Sequence, residues 1–213
     1  MHTSSEAGFA VLVPVKRTAV AKSRLGELGD RPRRQLAAAF AGDTVAAVLA
    51  CRKVARVLVV TDDHALATAL HQLGADVMPD GADDLNGTLL QAAADLSRRD
   101  PELRLAAVCA DLPALRPHEL ALALGTAHPE RMSFVCDQEH VGTTVVMAPG
   151  LDTFRPSFGP GSGRRHRQAG AFEVDGIDVP SLRRDVDAPP DLAQALALGV
   201  GPQTSLVATA LRL

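Results

Sequence analysis

Four stretches of this 213-residue chain collect the residue types that handle phosphate and hard cations. The first is PVKRTAVAKSRLG (14–26), which packs Lys16, Arg17, Lys22 and Arg24 into one connection. A cation cluster of this kind suits a triphosphate, whose oxygens accept charge-assisted hydrogen bonds. Taken alone it reads equally well as a solvated basic loop. It is neither a P-loop nor a GxGxxG fingerprint, which disfavours ordinary kinase-type and dinucleotide readings. The second is Asp111 in CADLPAL, a carboxylate closing an apolar run and able to hold a cation there. Ahead of Pro113 it also reads as a helix cap. The third is RRDVDAPPDL, where Asp185 and Asp187 stand two residues apart and face the same way if the segment is extended. Asp187 doubles as a cap for a helix opened by prolines. The fourth is FGPGSGRRHRQAG (158–170). Its glycines let backbone N–H groups turn inward as an anion nest, Ser162 adds a hydroxyl, and a helix expected near Arg164 would favour an anion at its N-terminus. Arg164, Arg165 and Arg167 add charge. His166 reads either as a donor to the anion or as a satisfied structural histidine.

Charge balance ties these stretches together. Two like charges ~4 Å apart cost ~1 kcal/mol in water and ~4 kcal/mol at an effective dielectric of 20. Carboxylates converging beside a triphosphate therefore call for a divalent cation, and oxygen-only ligands favour Mg²⁺ over zinc. The matching chemistry is attack on an α-phosphorus with diphosphate leaving. An acceptor phosphate is nucleophilic near neutral pH without a general base.

The elements that must position these residues alternate. FAVLVPVK (9–16), RVLVVT (56–61), ADVMP (75–79) and RLAAVCA (104–110) read as strands. Helical patterns run over 31–50, 64–73 and through Leu85–Leu96, and a further helix opens at Pro117. SFVCD (133–137) and TTVVMA (143–148) follow as strands, then a long Gly/Pro/Arg segment (154–170) and a closing helix at roughly Pro190–Leu198. This order predicts one α/β domain over 1–213 (core about 8–202), Rossmann-like, with a mostly parallel central sheet and helices on both faces. Ligands of such sheets bind beyond the carboxyl ends of the strands. Asp43 falls on the apolar stripe of its helix, which predicts a structural hydrogen bond to a neighbouring loop.

Composition narrows the classes. The chain is 46% hydrophobic, 22% charged and carries a net charge of −3. That excludes a disordered chain and gives no support for nucleic-acid binding. It has six Phe and neither Trp nor Tyr, so base stacking on aromatic platforms is not expected. Cys51, Cys109 and Cys136 lack metal-ligand spacing and read as reduced thiols, at least two of them core-filling. No apolar run reaches the ~18 residues of a membrane span, and MHTSSEAG does not read as a signal peptide. A cytoplasmic protein is expected.

Set in order, PVKxxxxAKSRL, Leu85-Asn86, ADLPAL, GTT (142–144), FGPGSxxRH and LRRDVDAPPDL resemble the CofC/FbiD family. These are the guanylyltransferases of coenzyme F-420 (deazaflavin) biosynthesis, related in fold to the molybdenum-cofactor guanylyltransferases. The resemblance runs from about Phe9 to Pro202. It implies transfer of GMP from GTP to phosphoenolpyruvate or 2-phospho-L-lactate with release of diphosphate. It further implies Mg²⁺ on Asp111, Asp185 and Asp187, and the acid on Thr143, Gly159 and Ser162. The nucleotide would contact Pro14, Lys16, Arg17, Lys22 and Arg24, with Asn86 near the nucleoside. Lys16, Lys22 and Asp111 would stand at the reaction centre. Whether Thr143 or Thr144 touches the acid stays open. The FGPGSxxRH and LRRDVD forms look most like the actinobacterial branch, which implies phosphoenolpyruvate. The product, an activated anhydride, suits hand-off to a downstream deazaflavin transferase. The alternatives are the lactate-using sister activity, another nucleotidyltransferase (for instance one using CTP) and a non-catalytic nucleotide-binding or scaffold protein.

Overall fold

The computed structural model describes residues 8–16, 18, 22–82 and 84–213, with Ser23 described for its backbone alone. Seven strands form one sheet in the order β3-β2-β1-β4-β6-β5-β7. They are β1 (Phe9–Pro14), β2 (Val54–Val60), β3 (Asp76–Met78), β4 (Arg104–Val108), β5 (Ser133–Cys136), β6 (Thr143–Ala148) and β7 (Phe172–Glu173). The helices are α1 (Asp30–Leu49), α2 (His64–Gln72), α3 (Leu85–Arg99), α4 (Pro117–Thr126), α5 (Ser162–Gln168), α6 (Pro180–Arg183), α7 (Pro189–Leu198) and α8 (Pro202–Leu211).

β3, β2, β1 and β4 are mutually parallel, as the alternation of apolar runs and helical patterns predicts. β6 departs from that pattern: it runs antiparallel between β4 and β5. The reason is chain length. Residues 137–142 are too few for a parallel crossover, which takes about a dozen residues or more, so the two strands close as a hairpin. α8 is a second departure, because the helix ending at Leu198 is not the last. The predicted structural bond of Asp43 is made to this added helix: its carboxylate accepts from the N–H groups of Gln203 (3.0 Å) and Thr204 (2.7 Å). Gly201 leaves room for that carboxylate, since a Cβ there would stand 2.3 Å from it.

The sheet buries both faces. Val11, Val13, Val59, Val108, Val145 and Met147 meet α1, α2 and α4 on one side. Ala10, Leu12, Val60, Ala107 and Val146 meet α3, Phe154 and Phe158 on the other. Cys51 and Cys136 fill the core as expected, while Cys109 is half-buried at the end of β4. No helix among the described residues is long and apolar enough to cross a membrane.

Candidate active site

A third apolar cluster forms the floor of the site. It joins Leu25 of the first loop, Leu36 and Phe40 of α1, Ala114, Val186, and Leu192 and Ala195 of α7. Each of the first three charged stretches thus contributes at least one apolar residue that anchors it. The turn bearing Asp111 is fixed further by Thr44 of α1, whose hydroxyl donates to the Ala110 carbonyl (3.2 Å) and accepts from the Leu112 N–H (3.1 Å). The Asp111 carbonyl in turn accepts from the Val186 N–H at 3.0 Å. That bond docks the Asp185–Asp187 segment against the end of β4. The loop after β1 is held by Thr18, whose N–H and hydroxyl both donate to Asp63 at the start of α2.

These supports surround a cavity of about 380 Å³ at the carboxyl ends of β1 and β4. β1 pairs with β2 on one side and β4 on the other, so the cavity lies at a topological switch point. Pro14, Lys16, Lys22, Arg24, Asp111 and Asp187 line it, together with apolar Phe40, Leu85 and Phe158. Three of the four cations predicted in the first loop and two of the three predicted metal carboxylates therefore face one space. Lys22 bridges the carboxylates, donating to Asp111 and, at 2.7 Å, to Asp187. Burial works against the Lys22 charge, but the two carboxylates more than offset it and hold the ammonium protonated above its ordinary range. Burial likewise opposes the Asp187 charge, and Lys22 outweighs it, so that carboxyl sits below its usual range. Among the described residues Asp185 has no hydrogen-bonded cation, and the more distant Lys22 charge offsets little. Burial, reinforced by the charges of Asp111, Asp187 and Asp137, pushes Asp185 up to about 7. The carboxylates of Asp137, Glu139 and Asp185 lie within 4.8 Å of one another. Among the described residues, the buried Asp111 Oδ1 has no hydrogen-bond partner.

The acid-binding candidates lie behind this cavity. Cys109 and Phe158 form the shared wall: the Cys109 thiol donates to the Thr143 carbonyl at 3.4 Å, and both residues line the cavity. Gly159 and Gly161 adopt φ of +118° and +70°, which L side chains rarely reach. They turn the chain into α5. The Ser162 N–H donates to the Gly159 carbonyl and the Gly163 N–H to the Val141 carbonyl, so two amides of the expected nest are already bonded. The arginines divide. Arg165 donates to the Ser157 hydroxyl and carbonyl and to the Pro160 carbonyl, and Arg167 pairs with Glu173. Arg164 is exposed. The Asn86 side chain exchanges two hydrogen bonds with the backbone of Phe158, at 2.8 and 3.2 Å. Its neighbour Leu85 is the one that lines the cavity. Buried Thr143 bonds His166 at 3.0 Å, whereas the buried Thr144 hydroxyl has no partner among the described residues. Arg17 lies outside the described residues.

Residues 9–204 match the family described as guanylyl transferase CofC like. The chain belongs to the CofC family. It is 49% identical over 208 residues to a phosphoenolpyruvate guanylyltransferase of Thermomonospora curvata, covering 96% of this chain and 90% of that one. A second, from Streptosporangium roseum, is 47% identical over 207 residues, covering 96% and 92%. Among solved structures, a putative nucleotide-diphospho-sugar transferase from Desulfovibrio desulfuricans G20 superposes with a TM-score of 0.63 at 17% identity, covering 90% of this chain and 96% of that one. A cytidylyltransferase from Leptospira borgpetersenii gives 0.59 at 13%, covering 97% and 94%. At such identities these two show the shared fold alone.

Within this CofC-family chain, several residues were given no part in the site by the sequence reading. Phe158 and Cys109 shape the shared wall, and Asp137 adds charge beside Asp185. Asp137 stands at the end of β5 much as Asp111 stands at the end of β4, which is the signal that would have singled it out. Its carboxylate also accepts from the Val141 and Gly142 N–H groups, tightening the β5–β6 hairpin ahead of Thr143.

Proposed function

We propose that this chain transfers GMP from GTP to phosphoenolpyruvate and releases diphosphate. The observation that carries the reading is the single cavity in which Lys16, Lys22 and Arg24 face Asp111 and Asp187. An oxygen of the acid's phosphate attacks the α-phosphorus, the bond from that phosphorus to the bridging oxygen breaks, and diphosphate departs with the electron pair. Lys16, Lys22 and Arg24, with Arg17 from the same loop, hold the triphosphate and the charge gathering on diphosphate. Thr143, Gly159 and Ser162 hold the acid.

The carboxylate group fits a divalent metal. Its donors are all oxygen, the buried Asp111 Oδ1 has no partner among the described residues, and Asp185 is pushed up to about 7 by burial and the surrounding negative charge. Asp111, Asp185 and Asp187 would hold Mg²⁺. When bound, the ion neutralises phosphate charge and so favours departure of diphosphate. The relatives named as phosphoenolpyruvate guanylyltransferases support the acceptor, and hand-off of the anhydride product to a deazaflavin transferase in the cytoplasm is its natural continuation.

Competition settles the acid and the nucleotide together. With GTP and Mg²⁺, phosphoenolpyruvate and 2-phospho-L-lactate are supplied at equal concentration and the adducts are separated by mass. The enolpyruvyl adduct should dominate. A dominant lactyl adduct moves the chain to the sister activity, and faster turnover of CTP than GTP removes the guanylyl assignment.

A further inference from the structure

The geometry points to His166 as the positioning residue that commits the Thr143 hydroxyl to donate a hydrogen bond to an anionic oxygen of the acid substrate. The inference rests on the proposed role of Thr143 in holding that acid. It follows from the two ring nitrogens. The Ser157 N–H lies 2.9 Å from His166 Nε2, and a backbone N–H can only donate. Nε2 is therefore the acceptor, and in a neutral ring the proton resides on Nδ1. Nδ1 lies 3.0 Å from Thr143 Oγ1, so the ring donates there and the threonine oxygen accepts. The hydroxyl proton is left over. Among the described residues it has no acceptor, although Thr143 is only 6% exposed.

The ring is held in this state. His166 is fully buried, with its plane against Phe134 (centroids 5.3 Å apart) and the edge of Phe158 (6.1 Å). Burial, with the Arg165 charge beside it, pushes His166 down to about 4, so it remains neutral at working pH. Arg165 itself is bonded to the backbone of the same loop, and a guanidinium has no acceptor to offer the Thr143 hydroxyl. One donor bond from Ser157 thus sets the tautomer, the tautomer sets the rotor of Thr143, and the rotor presents a proton to an anion. The N–H of Gly159, likewise without an acceptor among the described residues, offers a second donor of the same kind.

Two readouts test this. The first is the ¹⁵N spectrum of the histidine rings in the whole protein at pH 7. One buried ring should be protonated at Nδ1 and not at Nε2, and its signals should vanish in His166→Gln. An Nε2-protonated ring overturns the proposal whether or not any variant folds. The second is a double-mutant cycle on His166→Gln and Thr143→Val, read as KM for phosphoenolpyruvate against KM for GTP. Each single change should raise KM for the acid about tenfold or more while KM for GTP moves less than twofold. The double variant should be no worse than Thr143→Val alone, because both changes remove one donor. Additive losses, or an unchanged acid KM in folded His166→Gln, overturn the positioning role. An unchanged acid KM in Thr143→Val instead overturns the assignment of Thr143 beneath it.

Discussion

Lys22 occupies the place where opposing demands of the site meet. It bonds Asp111 and Asp187, the carboxylates proposed to hold the metal, and it lines the cavity proposed to take the triphosphate. In the ligand-free chain the ammonium is thus the counter-charge of the carboxylates, and a divalent ion must compete with it. Lys22→Met should lower kcat/KM by about 100-fold or more, the usual cost of one lost transition-state donor. The same change should tighten Mn²⁺ binding to the nucleotide-free protein by roughly tenfold, read by paramagnetic resonance. Weaker binding would show that Lys22 shapes the carboxylates instead of competing for them. His166 gives a second expectation at this scale. Its folded pKa of about 4 lies below the ordinary value of 6.5, so the unfolded chain takes up the proton first. Stability is complete above pH 6.5 and is lost as pH falls from there toward 4, by up to about 3 kcal/mol. Urea midpoints at pH 7.5 and 5 should differ less in His166→Gln than in the parent chain; an equal difference would contradict the assignment. Lys22 and Asp111 were nominated in the sequence by type and by company, Lys22 in a cation-rich loop and Asp111 at the close of an apolar run, and only the four stretches together single them out. His166 and Asn86 were named too, but without the bonds they make. Their roles depend on backbone partners, which for Asn86 lie 72 residues away, and no local pattern records such a bond.

At the scale of elements, apolar runs and helical stripes identify β1 through β4 and the helices between them, since each buries a regular face. Two features needed more. The antiparallel placement of β6 follows from the short 137–142 connection, a constraint of reach that hydrophobicity does not express. α8 lacks a strong apolar face, with Leu206 74% exposed, and is recognised instead through the carboxylate that caps it. Asp43→Ala should therefore act on α8 selectively. Loss of a cap costs about 1–2 kcal/mol, so Tm should fall by roughly 2–8 °C. Amide exchange should accelerate at Gln203 and Thr204 while KM for GTP is unchanged. Uniform acceleration over α1 as well would mean that Asp43 supports the helix it belongs to more than the one it caps.

Over the whole molecule, the carboxyl edge of the sheet carries two groups of side chains, one proposed to take the nucleotide and one proposed to take the acid. Lys16, Lys22, Arg24 and the carboxylates open on the cavity between β1 and β4, while Thr143, Gly159 and Ser162 cluster around the start of β6 and α5. Cys109 and Phe158 border both groups, Cys109 through its bond to the Thr143 carbonyl and both through the cavity they line. The arrangement suits a direct transfer between two bound anions. The most direct test is diphosphate release from GTP and Mg²⁺ with purified full chain, with inorganic pyrophosphatase added to draw the reaction forward and to convert diphosphate into a measurable signal. Release should require both GTP and phosphoenolpyruvate and should disappear in folded Asp111→Asn. GTP binding without release in the presence of phosphoenolpyruvate, or full release by Asp111→Asn, would contradict the account.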